Sequence, residues 1–258
     1  YIYSLLLDRP FVFEVRDLWP GIFEELGVIE NKAILGMLEQ LELFLYRRAE
    51  RVVTVTESFK QDISSRGIPE QKIETIMNGV DLSFFQPATR QNEVREEFGL
   101  EDKFVAAYIG THGIAHALES HLKAAEQLHD RDDIVFMFVG DGARREALEE
   151  MVAQRELDNV LMVERQPKER MPDFYNAADV CFVPLRDIPM FDQFIPSKIF
   201  EILGCATPII GSVKGEARGI LEESGAAVVT EPEADDEIAE AVVEMAEMPA
   251  DDRRRMGE

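Results

Sequence analysis

Ten residues from Phe194 to Leu203, FIPSKIFEIL, combine residue types suited to holding a nucleotide diphosphate. Pro196 and Ser197 are helix-start signals, Ile199, Phe200 and Leu203 form an apolar stripe, and Gly204 is a stop signal. A helix opening here turns free backbone N–H groups and the positive end of its dipole toward whatever precedes it. Lys198 adds a full positive charge at that spot, and Glu201, one turn on, offers two acceptor oxygens for a pair of ribose hydroxyls. The same residues equally describe a surface helix capped by Ser197, with Glu201 complementing the dipole.

Other candidate groups follow apolar runs. Arg16-Asp17-Leu18-Trp19-Pro20 sets a charged pair beside the only Trp of the chain. Such a pair at a strand end is either an Arg16–Asp17 ion pair or a site facing a ligand. Gly110-Thr111-His112-Gly113 and Gly140-Asp141-Gly142 form glycine turns where a backbone can approach a phosphate or another chain closely. Arg144 and Arg145 follow the second turn and bring positive charge toward the same crevice. The first turn lacks G-x-G-x-x-G spacing, and no ribose-binding acid follows the next strand, which counts against a nicotinamide dehydrogenase. His112, His116, His121 and His129 cluster in sequence, yet no third ligand of matching kind stands near the His112/His116 pair, so no metal is expected. Asp130-Arg131-Asp132 reads as a solvated loop at the wrong end of its strand.

These groups need a frame to position them. Strands are predicted at Phe11–Val15, Val52–Val55, Lys72–Ile76, Phe104–Ile109, Ile134–Val139, Val160–Val163, Val180–Val183, Pro208–Ile210 and Ala226–Val229. Helical patterns lie between them at 30–49, 57–66, 116–129, 143–155, 169–177, 197–204, 215–224 and 234–247. Strand–helix alternation with nearly continuous apolar strands predicts an α/β protein with two parallel sheets covered on both faces. The polar stretch 82–97 reads as a linker, which divides the chain into residues 1–88 and 89–258. In such folds ligands bind outside the carboxyl ends of the strands, which is where the turns above lie.

Composition narrows the partners. A net charge of −24, from 51 acidic and 27 basic residues, argues against a nucleic-acid surface. Cys181 and Cys205 both sit in apolar stretches and read as core thiols of a reducing cytoplasm. No run of eighteen apolar residues is present. The chain opens on Tyr1 and closes in a charged helical stretch, and so reads as a fragment with an incomplete N-terminal domain.

Taken together, these segments resemble the retaining glycosyltransferases of family GT4, whose GT-B fold sets two Rossmann-like domains across a cleft. The run Lys72-Ile73-Glu74-Thr75-Ile76-Met77-Asn78-Gly79-Val80-Asp81 with Phe84-Phe85-Gln86-Pro87 is the most specific match. Ala49–Ser58, Tyr175–Val180 and Phe200–Ile210 match further family segments. Val15–Pro20 with Pro196-Ser197-Lys198 resembles the subgroup that builds surface polysaccharides, including amino-sugar and fucosyl-type transferases. The resemblance implies residues 1–88 as the remainder of an acceptor-binding domain and 89–258 as a nucleotide-sugar-binding domain. It implies donor contacts at Gly110, Thr111, Gly113, Gly140, Gly142, Pro196, Ser197, Lys198 and Glu201, with Arg16, Asp17 and Lys198 as catalytic groups. It further implies a glycan or lipid-linked acceptor, no cofactor or metal, and a cytoplasmic protein with peripheral contact at the inner face of a membrane. Some positions depart from the family. Gln193 stands where the first of two glutamates eight positions apart is found, Thr111 and His112 replace an Arg and a Lys, and Arg16 replaces a histidine. A nucleotide-sugar epimerase on the same fold and a non-catalytic glycan- or partner-binding member remain alternatives.

Overall fold

Nine parallel strands arise from the apolar runs, each entering the structure within a residue or two of its expected limits. The structure, a computed structural model, describes residues 1–257. Two compact units form: Tyr1–Asn78 with Ile188–Ile195, and Gly79–Asp187 with Pro196–Glu258.

The first unit carries a three-stranded parallel sheet, β1 (Val12–Val15), β2 (Arg51–Thr54) and β3 (Ile73–Thr75), in that order. Its helices are α1 (Ile2–Leu7), α2 (Gly21–Glu25), α3 (Lys32–Arg48) and α4 (Glu57–Ser65). Asn31 starts α3 by accepting from the amides of Ala33 and Ile34, and Thr56 starts α4 by accepting from Phe59. Val52, Phe59, Ile63 and Ile73 are almost fully buried between sheet and helices, and Phe194 packs edge-on against Phe59.

The second unit holds six parallel strands: β4 (Phe104–Ile109), β5 (Ile134–Val139), β6 (Val160–Val163), β7 (Val180–Pro184), β8 (Ile209–Ser212) and β9 (Ala227–Thr230). Their order is β6-β5-β4-β7-β8-β9. The chain winds outward one way from β4 and then, starting at β7, the other way. The switch point lies between β4 and β7, where a ligand crevice is expected outside the carboxyl ends. The helices are α5 (Glu93–Phe98), α6 (Leu118–Gln127), α7 (Arg145–Gln154), α8 (Met171–Ala177), α9 (Lys198–Gly204), α10 (Gly215–Ser224), α11 (Asp235–Glu247) and α12 (Ala250–Gly257). Phe104, Phe136, Phe138, Phe182, Leu122 and Val242 form the core between the sheet and α6 and α11. Both cysteines are buried as free thiols.

The stretch 82–97 is not a loose linker. Asn92 caps α5, Phe85 packs against Tyr175, and the Asn176 side chain accepts from the Ala88 amide and donates to the Gln86 carbonyl. These bonds draw residues from Gly79 onward into the second unit, so the units divide at Asn78–Gly79 instead of near residue 88. Arg95, only 2% exposed, donates to the carbonyls of Ala177, Leu100 and Lys103 and to Asp179 at 2.6 Å. Arg90 and Arg253 also reach Asp179, so one carboxylate holds three guanidinium groups from α5, its approach segment and α12.

Candidate functional site

The second unit presents two adjoining cavities. One, of about 540 Å³, opens at the carboxyl ends of β4, β5 and β6 and is lined by Gly110, Thr111, Gly140, Gly142, Arg165 and Lys168, among others. The other, of about 380 Å³, is lined by Gly79, Asp81, Phe84, Glu169, Glu201 and again Lys168. Lys168 is the one residue common to the two walls. Neither Arg165 nor Lys168 stood out in the sequence, although the rule that carboxyl-end loops carry chemistry points to their loop after β6 as much as to the others.

The glycine turns are fixed chiefly by each other. A Cβ at Gly140 would lie 1.9 Å from the Gly110 carbonyl oxygen, and one at Gly142 would lie 2.5 Å from the His112 carbonyl oxygen. Backbone bonds from His112 to Asp141 and from Arg144 to His112 tie the two loops together. Gly110, Gly140 and Gly142 all have positive φ values near 150°, which a side chain rarely adopts. Gly113 differs: its φ is −103° and an added Cβ would make ordinary contacts. Arg144 and Arg145 do not deliver free charge to the crevice. Arg144 pairs with Glu119, and Arg145 pairs with Glu149 and donates to the carbonyls of Gly140 and Val163.

The Lys198 amine is buried, not exposed at the helix start. Ser197 lies in helical conformation and makes no side-chain cap bond, so the capped surface helix is not what forms. The Lys198 stem instead runs inward, and its Nζ is buried with no hydrogen-bond partner among the described residues. The amine sits 3.8 Å from the centre of the Tyr108 ring. A Cβ at Gly110 would lie 2.7 Å from it. Desolvation pushes its pKa down to about 7, partly opposed by Cys181 and Glu201. Around the same ring stand His112 and His116, driven down to about 4 and about 3 first by burial and then by nearby cations, Lys198 among them. Among the described residues no group of three His, Cys, Asp or Glu is arranged to hold a metal ion.

Glu201 lines the 380 Å³ cavity. Its Oε2 accepts from the Tyr175 hydroxyl at 2.9 Å. Pro196 is half-buried and Ser197 exposed at the start of α9.

The first unit has its own carboxyl-end group. Arg16 follows β1, and its guanidinium donates to Glu14 at 3.3 Å and to Asn78 at 3.1 Å, not to Asp17. The expected alternative of an Arg16–Asp17 ion pair is therefore not the one that forms. Desolvation raises the Asp17 pKa, with Arg16 pulling the other way. Arg16, Asp17, Trp19, Phe13 and Tyr46 line a cavity of about 470 Å³. Gln193 belongs to this unit, in a separate cavity with Leu18, Glu24, Lys32 and Arg66, whereas Glu201 belongs to the second.

The profile of the family described as "Glycosyl transferases group 1" matches residues 90–258. The chain belongs to this family. The profile described as "Glycosyltransferase Family 4" matches residues 1–84. This group 1 chain is 24% identical to alpha-D-kanosaminyltransferase of Streptomyces kanamyceticus over 100% of its own length and 66% of that relative's. It is 25% identical to alpha-galactosylglucosyldiacylglycerol synthase of Streptococcus pneumoniae over 83% of itself and 56% of that protein. It thus spans about half to two thirds of the curated relatives' length. In structure it is similar to Anabaena Alr3699/HepE, solved with UDP and glucose, with a TM-score of 0.81 at 17% identity, covering 100% of this chain and 67% of that one. The same Anabaena protein has also been solved with UDP-glucose. Sucrose-phosphate synthase from Thermosynechococcus elongatus gives 0.76 at 18% identity, covering 99% and 63%. The fold of this group 1 member is GT-B. Among the described residues no helix is long and apolar enough to cross a membrane.

Proposed function

We propose that the protein transfers a sugar, with retention and without a metal, from a nucleotide-sugar donor to a glycan or lipid-linked acceptor in surface polysaccharide synthesis. The observation that carries this reading is the pair of cavities in the second unit that share Lys168 in their walls, one lined by the glycine turns and the other by Glu201, read as one donor groove. The two volumes, about 540 and 380 Å³, suit a nucleotide, Glu201 suits ribose hydroxyls, and Arg165 and Lys168 suit a phosphate or base edge. The Anabaena neighbour solved with UDP-glucose supports a uridine donor, and the diacylglycerol-synthase relative supports a lipid-borne acceptor.

In this reading Glu201, steadied by Tyr175, fixes the ribose. The loops at Gly110–Gly113 and Gly140–Gly142 bring backbone groups to the diphosphate. Lys198 acts on the leaving charge from behind Gly110, and Arg165 and Lys168 act on it from the open side. As the glycosidic bond to the diphosphate breaks, the acceptor oxygen attacks the anomeric carbon from the leaving-group face. The departing phosphate oxygen takes the acceptor's proton. No nucleophilic carboxylate is required, which makes an amide at Gln193 compatible with turnover. Arg16 and Asp17 orient the acceptor.

The test is calorimetric titration with UDP, GDP and TDP, followed by turnover of the sugar nucleotide whose base binds. Micromolar binding of one base, weakened by charge loss at Lys168, is expected. Failure of all three to bind would sink the proposal.

A further inference from the structure

The surroundings of Lys198 contain many titratable groups and no countercharge in contact with its amine. Tyr108 of β4 offers a ring face, and its hydroxyl is already committed to the Thr111 carbonyl at 2.7 Å. From the loop after β4 come His112 and His116, of which His112 Nδ1 and Nε2 and His116 Nδ1 lack partners among the described residues. His121 of α6 faces the same region, its Nε2 also unpartnered and its pKa lowered to about 3, first by burial and then by Lys198. Cys181 of β7 stands near as a buried thiol whose pKa burial raises. Glu201, on the same helix as Lys198, is bonded to Tyr175. Asp141, Arg145 and Glu149 bear on His112.

Gly110 joins this cluster to the donor groove, since it meets the Lys198 amine and also lines the 540 Å³ cavity. An anion settling on the Gly110 turn would therefore be the nearest countercharge that the amine can find. We infer that Lys198 takes up one proton from solvent when a nucleoside diphosphate enters the groove. Binding is then a three-body event, in which the neutral amine becomes an ammonium, one N–H bond forms, and the buffer loses the proton. This inference rests on the donor reading above. It explains how a lysine can sit unpaired in the interior and still serve an anionic ligand: free protein keeps it close to neutral, and the ligand charges it. Desolvation pushes the amine down to about 7 before any ligand enters. Affinity should therefore fall as pH rises above about 7, approaching tenfold per unit until the bound-state value is reached.

The experiment is calorimetric titration of UDP at pH 8 in HEPES and in Tris, which offer no phosphate to compete for the site and whose ionisation enthalpies differ. The terminal phosphate of UDP is almost fully ionised there, with a second pKa of about 6, and contributes little. Wild type should take up most of one proton per UDP, as an amine lowered to about 7 is mostly neutral at pH 8. Lys198→Arg should bind UDP with no uptake and with little pH dependence, and Lys198→Met should bind weakly with no uptake. If Lys198→Met fails to fold, the Arg variant decides. UDP binding without proton uptake in wild type overturns the inference and leaves the donor reading standing. Uptake that persists in the Arg or Met variant also overturns it and assigns the proton to the histidines. No UDP binding at all removes the uridine donor reading itself.

Discussion

Arg16 in the first unit and Lys198 in the second both belong to the carboxyl-end regions of parallel sheets, yet their surroundings are opposites. Arg16 is open, with its side chain 59% exposed and bonded to an equally exposed Glu14 and to Asn78. Lys198 ends in a buried amine under a glycine turn, between an aromatic ring and neutral histidines. Surface pairs of the first kind contribute little to stability, whereas a buried amine is part of the core it sits in. The first unit can therefore exchange its functional side chains at small structural cost. In the second, the groove and the core share atoms, and changes aimed at one disturb the other.

The interlocked glycine turns give the sharpest way to break this comparison. Gly140→Ala should cost about 3 kcal/mol or more in chemical denaturation, because its Cβ would meet a backbone carbonyl that cannot step aside. Gly113→Ala, without such a clash, should stay within about 1 kcal/mol. An alanine at 140 as stable as wild type would show that the loops are not locked together.

Arg16→Ala should lower turnover about a hundredfold while leaving the melting temperature and the donor affinity nearly unchanged. A drop in melting temperature with normal turnover would make Arg16 structural and erase the contrast. Glu201→Gln should weaken UDP binding by roughly 1.5–3 kcal/mol in calorimetry, with Tyr175→Phe doing so less. Equal affinity in Glu201→Gln would remove the ribose assignment.

The pH response should divide the units. All four histidines lie in the second unit, and the only Trp lies in the first. His112, His116 and His121 are held neutral to about pH 3–4 in the fold but charge near 6.5 when unfolded. The unfolded state then binds more protons, so their contribution is present above pH 6.5 and is lost as pH falls toward 4. Lys198 works the same way at higher pH: stability should rise from about pH 7 toward its ordinary value of 10.5. Hydrogen exchange in β4 should follow both changes, and the Trp19 fluorescence melt should follow them less. Equal shifts in both signals would mean that the units do not unfold separately. Smallest of all should be the effect of EDTA on turnover, where no change is expected. A loss restored by Mn²⁺ or Mg²⁺ would move the charge on the diphosphate from Lys168 and Lys198 to a metal.

Much of the fold is legible because a strand buried on both faces leaves an uninterrupted apolar run, as in Phe104–Ile109 and Ile134–Val139. Helix α5 is not, since Glu93–Phe98 is short and mostly charged, and the burial of Arg95 depends on Asp179, 84 residues away. Glu201 could be read from its spacing after Pro196, because a helix fixes that spacing locally. The fate of Lys198 could not: its four-carbon stem reaches either solvent or core, and only the Tyr108 face and the Gly110 turn decide which. Arg165 and Lys168 are illegible for a different reason, because nothing in their types distinguishes them from a solvated turn until β6 places them beside the glycine loops.

The carboxylate of Asp179 bears on how the second unit comes into being. Its three arginine partners stand 74 to 89 residues away along the chain, so none of these bonds can form until large loops have closed. The knot is therefore expected to be tied late on the folding path, after the central strands have met. Neutralising it with Asp179→Asn should hasten unfolding far more than it slows folding. Helix α12 is then a latch, and the speed with which the finished domain comes apart depends on one side chain at the start of β7.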